Sequence, residues 1–207
     1  MKYFKEDKSG NHMNIEKRVE IFTLRENELI AQGFLPKEKT ISVLKANIYA
    51  LFTAGPIAFL CFVLFYLRFP EHYYVISQES SHIFFIALIV CIFVHEILHG
   101  IGWGIFCKDK KSISFGMMWK QLTPYCSCAE PLTYTKYLIG SLLPFFILGI
   151  VMFMIALFTE NTGCLYLSIL NILSAGGDTT ISLLLWNHRK DIIVDHPTKV
   201  GFIAYHK

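Results

Sequence analysis

Four stretches of the chain are apolar almost without interruption. They run from about Ile48 to Leu67, Ile83 to Phe106, Tyr137 to Phe158 and Cys164 to Trp186. Each is close to the roughly 20 residues a helix needs to cross hydrocarbon. The pattern predicts an all-α membrane protein with four transmembrane helices. Between the second and third stretches the rhythm changes. Ile113, Phe115 and Met117 alternate with Ser112, Ser114 and Gly116, which predicts a short strand or hairpin. The chain divides accordingly into an N-terminal segment (1–45), a four-helix region (46–188) and a tail (189–207).

Composition supports this division. Of 207 residues, 54% are hydrophobic and 17% are charged. A soluble domain of this size has too much surface for its volume to hide that much apolar matter, so the bilayer is the better solvent. The 19 Lys and Arg are unevenly placed: nine precede the first span, one (Arg68) follows it, five fall in 107–136, none in 159–163 and four in the tail. This alternation predicts cytoplasmic termini and a cytoplasmic 107–136 loop, as expected for a multi-pass protein of a bacterial cell membrane. The polar first 45 residues predict no cleavable signal peptide. Within them, IEKRVEIFTLRENELIAQGF fits a short cytosolic helix, or equally a solvated tail resting on the membrane. A net charge of +3 is too small to indicate a nucleic-acid partner. The expected partners are the lipid bilayer and a membrane-protein or peptide substrate.

The six cysteines do not form a disulfide framework. Cys61, Cys91 and Cys164 fall in or at the ends of spans, and Cys107, Cys126 and Cys128 face the reducing cytoplasm under this topology. A lone Cys126-x-Cys128 is a weak metal signal, and inert thiols are the favoured reading.

The second span contains VHEILHG, residues 94–100. Three ionisable groups in a membrane helix cost about 2.5–3.5 kcal/mol each on insertion scales and need a reason to persist. On a helix His95 and His99 share one face and can hold one Zn²⁺ through their imidazoles. Glu96, about 100° round the helix, can reach a water at the metal without being a ligand. Histidines hydrogen-bonded within a helical bundle, with the glutamate paired to a lysine, are the plainer alternative.

Catalytic zinc usually has three protein ligands and an open position. Counting back along helices from the cytoplasmic charges, His95 lies about 20 Å and His99 about 14 Å from Lys108. Asp178, the only charged residue in NILSAGGDTTISLLLW, lies about 16 Å from Arg189, between the two. That depth makes it the favoured third ligand, with a helix N-cap after Gly176-Gly177 as the alternative. Glu130, before Pro131 and nearer the interface, competes as ligand, substrate contact or cap.

These residues resemble a known type. An H-E-x-x-H motif on one membrane helix with an aspartate on a later one looks like the site-2-protease type of intramembrane zinc metalloprotease. A closer resemblance is to a bacterial family of small zincin membrane peptidases. It covers about Ile83 to Asp195 and includes HEILHG, AEPL, LLPF, GGD and DIIVDHP. Site-2 proteases carry an N-x-x-P…D-G motif, whereas here Ser174 replaces the proline and the glycines precede Asp178. The resemblance implies a role for Asn171 in orienting substrate backbone, against an ordinary interhelical hydrogen bond. It also implies that the strand after the H-E-x-x-H helix pairs with an unwound substrate, against a plain interfacial hairpin.

The expected protein is thus a metallopeptidase-like membrane domain in which His95, His99 and Asp178 hold Zn²⁺, Glu96 is the general base, and Asn171 and Glu130 contact substrate. A metal-binding transporter or sensor and a non-catalytic peptidase-like scaffold remain as alternatives. A second ligand set on the outer half would favour transport, and the sequence shows none.

Overall fold

A computed structural model describes residues 12–71, 78–118 and 123–207. Lys2, Lys5, Lys8 and Lys120, which contribute to the charge asymmetry, lie outside the described residues. Helix α1 (His12–Ala31) and strand β1 (Leu35–Ile41) precede the first apolar window. That window is two helices, α2 (Val43–Thr53) and α3 (Gly55–Arg68). Ser42 caps α2 by accepting from the Lys45 N–H at 3.3 Å. Pro56 opens α3, where a missing N–H costs nothing. The second window is α4 (Gln78–Gly104). Strands β2 (Ile113–Met118), β3 (Thr123–Cys128) and β4 (Leu132–Thr133) follow. The third window is α5 (Tyr134–Pro144), a π-helical segment (Phe145–Val151) and α6 (Met152–Thr159). The fourth is α7 (Thr162–Ser174) and α8 (Gly176–Leu185), after which come β5 (Ile192–Asp195) and β6 (Val200–His206).

The expectation of an all-α protein with four transmembrane helices is corrected on two counts. First, among the described residues three helical stretches, Val43–Arg68, Ser81–Gly104 and Tyr134–Thr159, are long and apolar enough to cross a membrane. The fourth window is a helix pair bent by 42° between Ser174 and Gly176. Packing accompanies the break. A Cβ on Gly176 would lie 2.2 Å from the Ala50 Cβ and 2.8 Å from its Cα, so α2 approaches α8 backbone to backbone. Thr53 Oγ1 and Thr179 Oγ1 meet across that contact at 2.8 Å.

Second, strands extend well beyond the loop between the second and third windows. An antiparallel sheet of order β1-β6-β5-β4 joins the two ends of the chain, and β2 and β3 form a separate antiparallel pair. Leu35 lies opposite His206, and Ile41 opposite Val200. Residue alternation sorts the faces of the larger sheet. Val194, Ile203 and Tyr205 pack against Phe22 and Leu29 of α1. Ile193, Phe202 and Ala204 pack against Trp103, Tyr137, Ile181 and Leu185 of the helices. The sheet is therefore a middle layer between α1 and the ends of α4, α5 and α8. A further core of Ala58, Phe65, Phe145, Phe153, Leu165 and Ile172 binds the helices together. Phe52, Phe59, Ile83, Ile86 and Phe158 are exposed on the outer faces, as on helices whose solvent is lipid.

Candidate metal centre

His95, Glu96 and His99 lie in α4. That helix meets α5 closely at Gly140, where a Cβ would fall 2.0 Å from Trp103 Cδ1. The indole lies over the bare glycine. Its Nε1 donates to Tyr137 O at 2.9 Å, and its ring stacks on His99 with centroids 5.1 Å apart and planes 14° apart. The same approach brings the Gly140 carbonyl to His99, whose Nδ1 donates to it at 2.9 Å. With the proton on Nδ1, the Nε2 of His99 keeps its lone pair for a metal.

Asp178 enters from the first turn of α8. It is not the N-cap; Ala175 holds that position, with no side-chain cap bond. Asp178 Oδ2 lies 3.2 Å from His95 Nε2 and Oδ1 lies 3.4 Å from His99 Nε2, while the two Nε2 atoms are 3.2 Å apart. The structure thus brings His95, His99 and Asp178 together, with one ligand atom from each within 4.8 Å of the others. With its Nδ1–H given to Gly140, His99 turns the Nε2 lone pair toward the Asp178 carboxylate, a contact that a cation between them relieves. Four ligands at zinc distances of 2.0–2.1 Å in a tetrahedron are about 3.3 Å apart. Both the N, N, O donor set and the spacing fit zinc with one position left open.

Glu96 is half-buried beside this cluster. The backbone amide of Cys126 in β3 lies within reach of its carboxylate. A cavity of about 850 Å³ is lined by all four residues, and also by Cys126, Asp195 and Lys199 from the strand layer. The cluster is therefore connected to the strand layer through this space.

Glu130 and Asn171 are placed elsewhere. Glu130 Oε2 accepts from Ser112 Oγ at 3.0 Å and lies 3.7 Å from Arg25 Nη2 of α1. Asn171 Nδ2 donates to Leu167 O at 2.7 Å, within its own helix. Neither lines the cavity. Two residues that do were missed from the sequence: the Tyr137 hydroxyl donates to Asp195 Oδ1 at 2.9 Å. Burial pushes the Asp195 carboxyl up to about 6, against the attraction of Arg18 and the bond from Tyr137. The visible signal was an acid placed between the apolar run Ile192–Val194 and Pro197.

A family model described as "Putative zincin peptidase" matches residues 88–193, just over half of the chain, a span that contains His95, Glu96, His99 and Asp178. No curated protein and no solved structure matches the chain.

Proposed function

The chain belongs to the zincin peptidase family whose model spans residues 88–193, and from that premise we propose that it is a site-2-protease-like intramembrane zinc metallopeptidase. The observation that carries this reading is the convergence of three ligand atoms at 3.2–3.4 Å with Glu96 beside them in one cavity. Zinc held by His95, His99 and Asp178 would supply a Lewis acid that lowers the pKa of water to about 7 and polarises a scissile carbonyl.

The remaining work belongs to the chain's own groups. Glu96 accepts the proton of the attacking water and passes it to the leaving amine. Gly140 keeps the proton of His99 on Nδ1, so the ring stays a ligand through the cycle. The substrate is a peptide bond of a membrane-associated protein. A helical segment must unwind before attack, and β3, paired among the described strands with β2 alone and lining the cavity beside Glu96, is suited to align an extended peptide. The positive charge of Lys108, Lys110 and Lys111 beside the strand layer supports a cytoplasmic position for that layer.

The test is a paired measurement on one preparation of wild type and Glu96→Gln: zinc stoichiometry, and cleavage of a membrane-anchored peptide. Both proteins should hold about one zinc per chain. Hydrolysis by the variant should fall by about 10²-fold or more. Normal cleavage would remove Glu96 from the chemistry, and loss of zinc would make it a ligand.

A further inference from the structure

Two cysteines of the strand layer stand apart from the metal cluster. Cys107 lies just past α4, its N–H bonded back to Trp103 O at 3.1 Å. Cys128 ends β3. Their sulfur atoms are 3.4 Å apart, and both side chains are buried in the apolar cluster with Trp103, Leu132 and Ile193. A disulfide needs about 2.05 Å between the sulfurs, so side-chain movement of roughly 1.4 Å closes the gap. We propose that Cys107 and Cys128 are a redox-active dithiol that a peroxide-class oxidant converts to a disulfide, stapling the β2–β3 hairpin to the end of α4.

The electrostatics assign a role to each sulfur. The hydrogen bond from Cys128, helped by Lys110, holds the Cys107 thiol below its ordinary range despite burial. The same contact, together with burial, holds Cys128 protonated. Cys107 is therefore the more readily ionised of the two and the attacking sulfur. It takes one oxygen from hydrogen peroxide to become a sulfenic acid, and hydroxide leaves. The Cys128 sulfur then attacks the Cys107 sulfur, forming the S–S bond. The departing hydroxyl leaves with the Cys128 proton as water. Over both steps two thiols are oxidised to one disulfide, and one peroxide is reduced to two waters. Cys126, two residues away on β3, is pushed up by burial and by the charge of Glu96, so it stays a protonated bystander.

The staple has a mechanical consequence. Cys126, which lines the cavity beside Glu96, belongs to β3, so closing the bond fixes that strand relative to the H-E-x-x-H helix. Amide exchange in β2 and β3 should slow, because local opening of the hairpin would then require parting from α4.

Full-length protein in detergent micelles is treated with hydrogen peroxide, its free thiols are blocked, and it is digested for mass spectrometry. The expected product is a Cys107–Cys128 cross-link, lighter by two hydrogens and reversed by dithiothreitol, with slowed exchange across 113–118 and 123–128. Cys107→Ser and Cys128→Ser should each abolish it, and Cys126→Ser should not. The proposal fails if peroxide that oxidises methionines leaves both thiols free, if the cross-link joins Cys126, or if Cys107 goes to sulfinic acid without cross-linking. The wild-type protein alone decides the matter if a variant misfolds, and no outcome depends on zinc or peptidase activity.

Discussion

Gly140→Ala tests whether helix packing sets the metal site. The added methyl carbon would lie 2.0 Å from Trp103 Cδ1, 2.4 Å from Nε1 and 2.5 Å from Cγ. The indole cannot yield locally: it is rigid, 5% exposed, and tied to Tyr137 O at 2.9 Å. Either the ring or α5 must move. Overpacking of this kind costs about 1–3 kcal/mol, and contact with three ring atoms places this case near the upper end. The displacement also reaches His99, which stacks on the indole and donates to the carbonyl of the mutated residue. Losing an outer partner of a ligating histidine typically costs about 10- to 100-fold in metal affinity. Zinc competition against a chelator, with thermal unfolding of the same samples, measures both effects. Gly177→Ala is the stability control, because a Cβ there meets nothing within 4 Å. Unchanged zinc affinity in a folded Gly140→Ala protein would refute the idea that the α4–α5 contact orients His99.

Asp178→Ala should strip zinc from the purified protein while Glu130→Ala retains it, since Glu130 is engaged with Ser112 and lies outside the cavity; metal analysis decides between them. Asp195 gives a pH prediction: its carboxyl rises from 3.8 unfolded to about 6 folded, so its contribution to stability is full below 3.8 and is lost as pH rises through 6. The Tm of wild type should therefore fall relative to Asp195→Asn across that window, and a constant difference would show that the carboxyl is not perturbed. A cysteine introduced as Lys108→Cys should resist an impermeant thiol reagent added outside intact cells; ready labelling would reverse the proposed orientation.

What the sequence determined by itself was local. His95 and His99 share a face because helical geometry puts residues four apart together, whatever surrounds them. The helical windows were legible because a membrane demands long apolar runs, and the β2–β3 pair was foreshadowed by alternation at Ser112–Met117. Even the matching depth of Asp178 followed from a helix rise counted from the flanking charged residues. The rest depended on partners far along the chain. β1 and β6 pair between residues 35–41 and 200–206, and neither strand's own residues name the other. The fourth window read as a single span, yet the two helices bend where Gly176 meets Ala50. A glycine pair announces freedom of the backbone, but only the neighbouring helix shows how that freedom is used. The same holds for Gly140. Its carbonyl became the partner of His99 because two helices close to backbone contact there, and such an approach is a property of packed surfaces rather than of either segment.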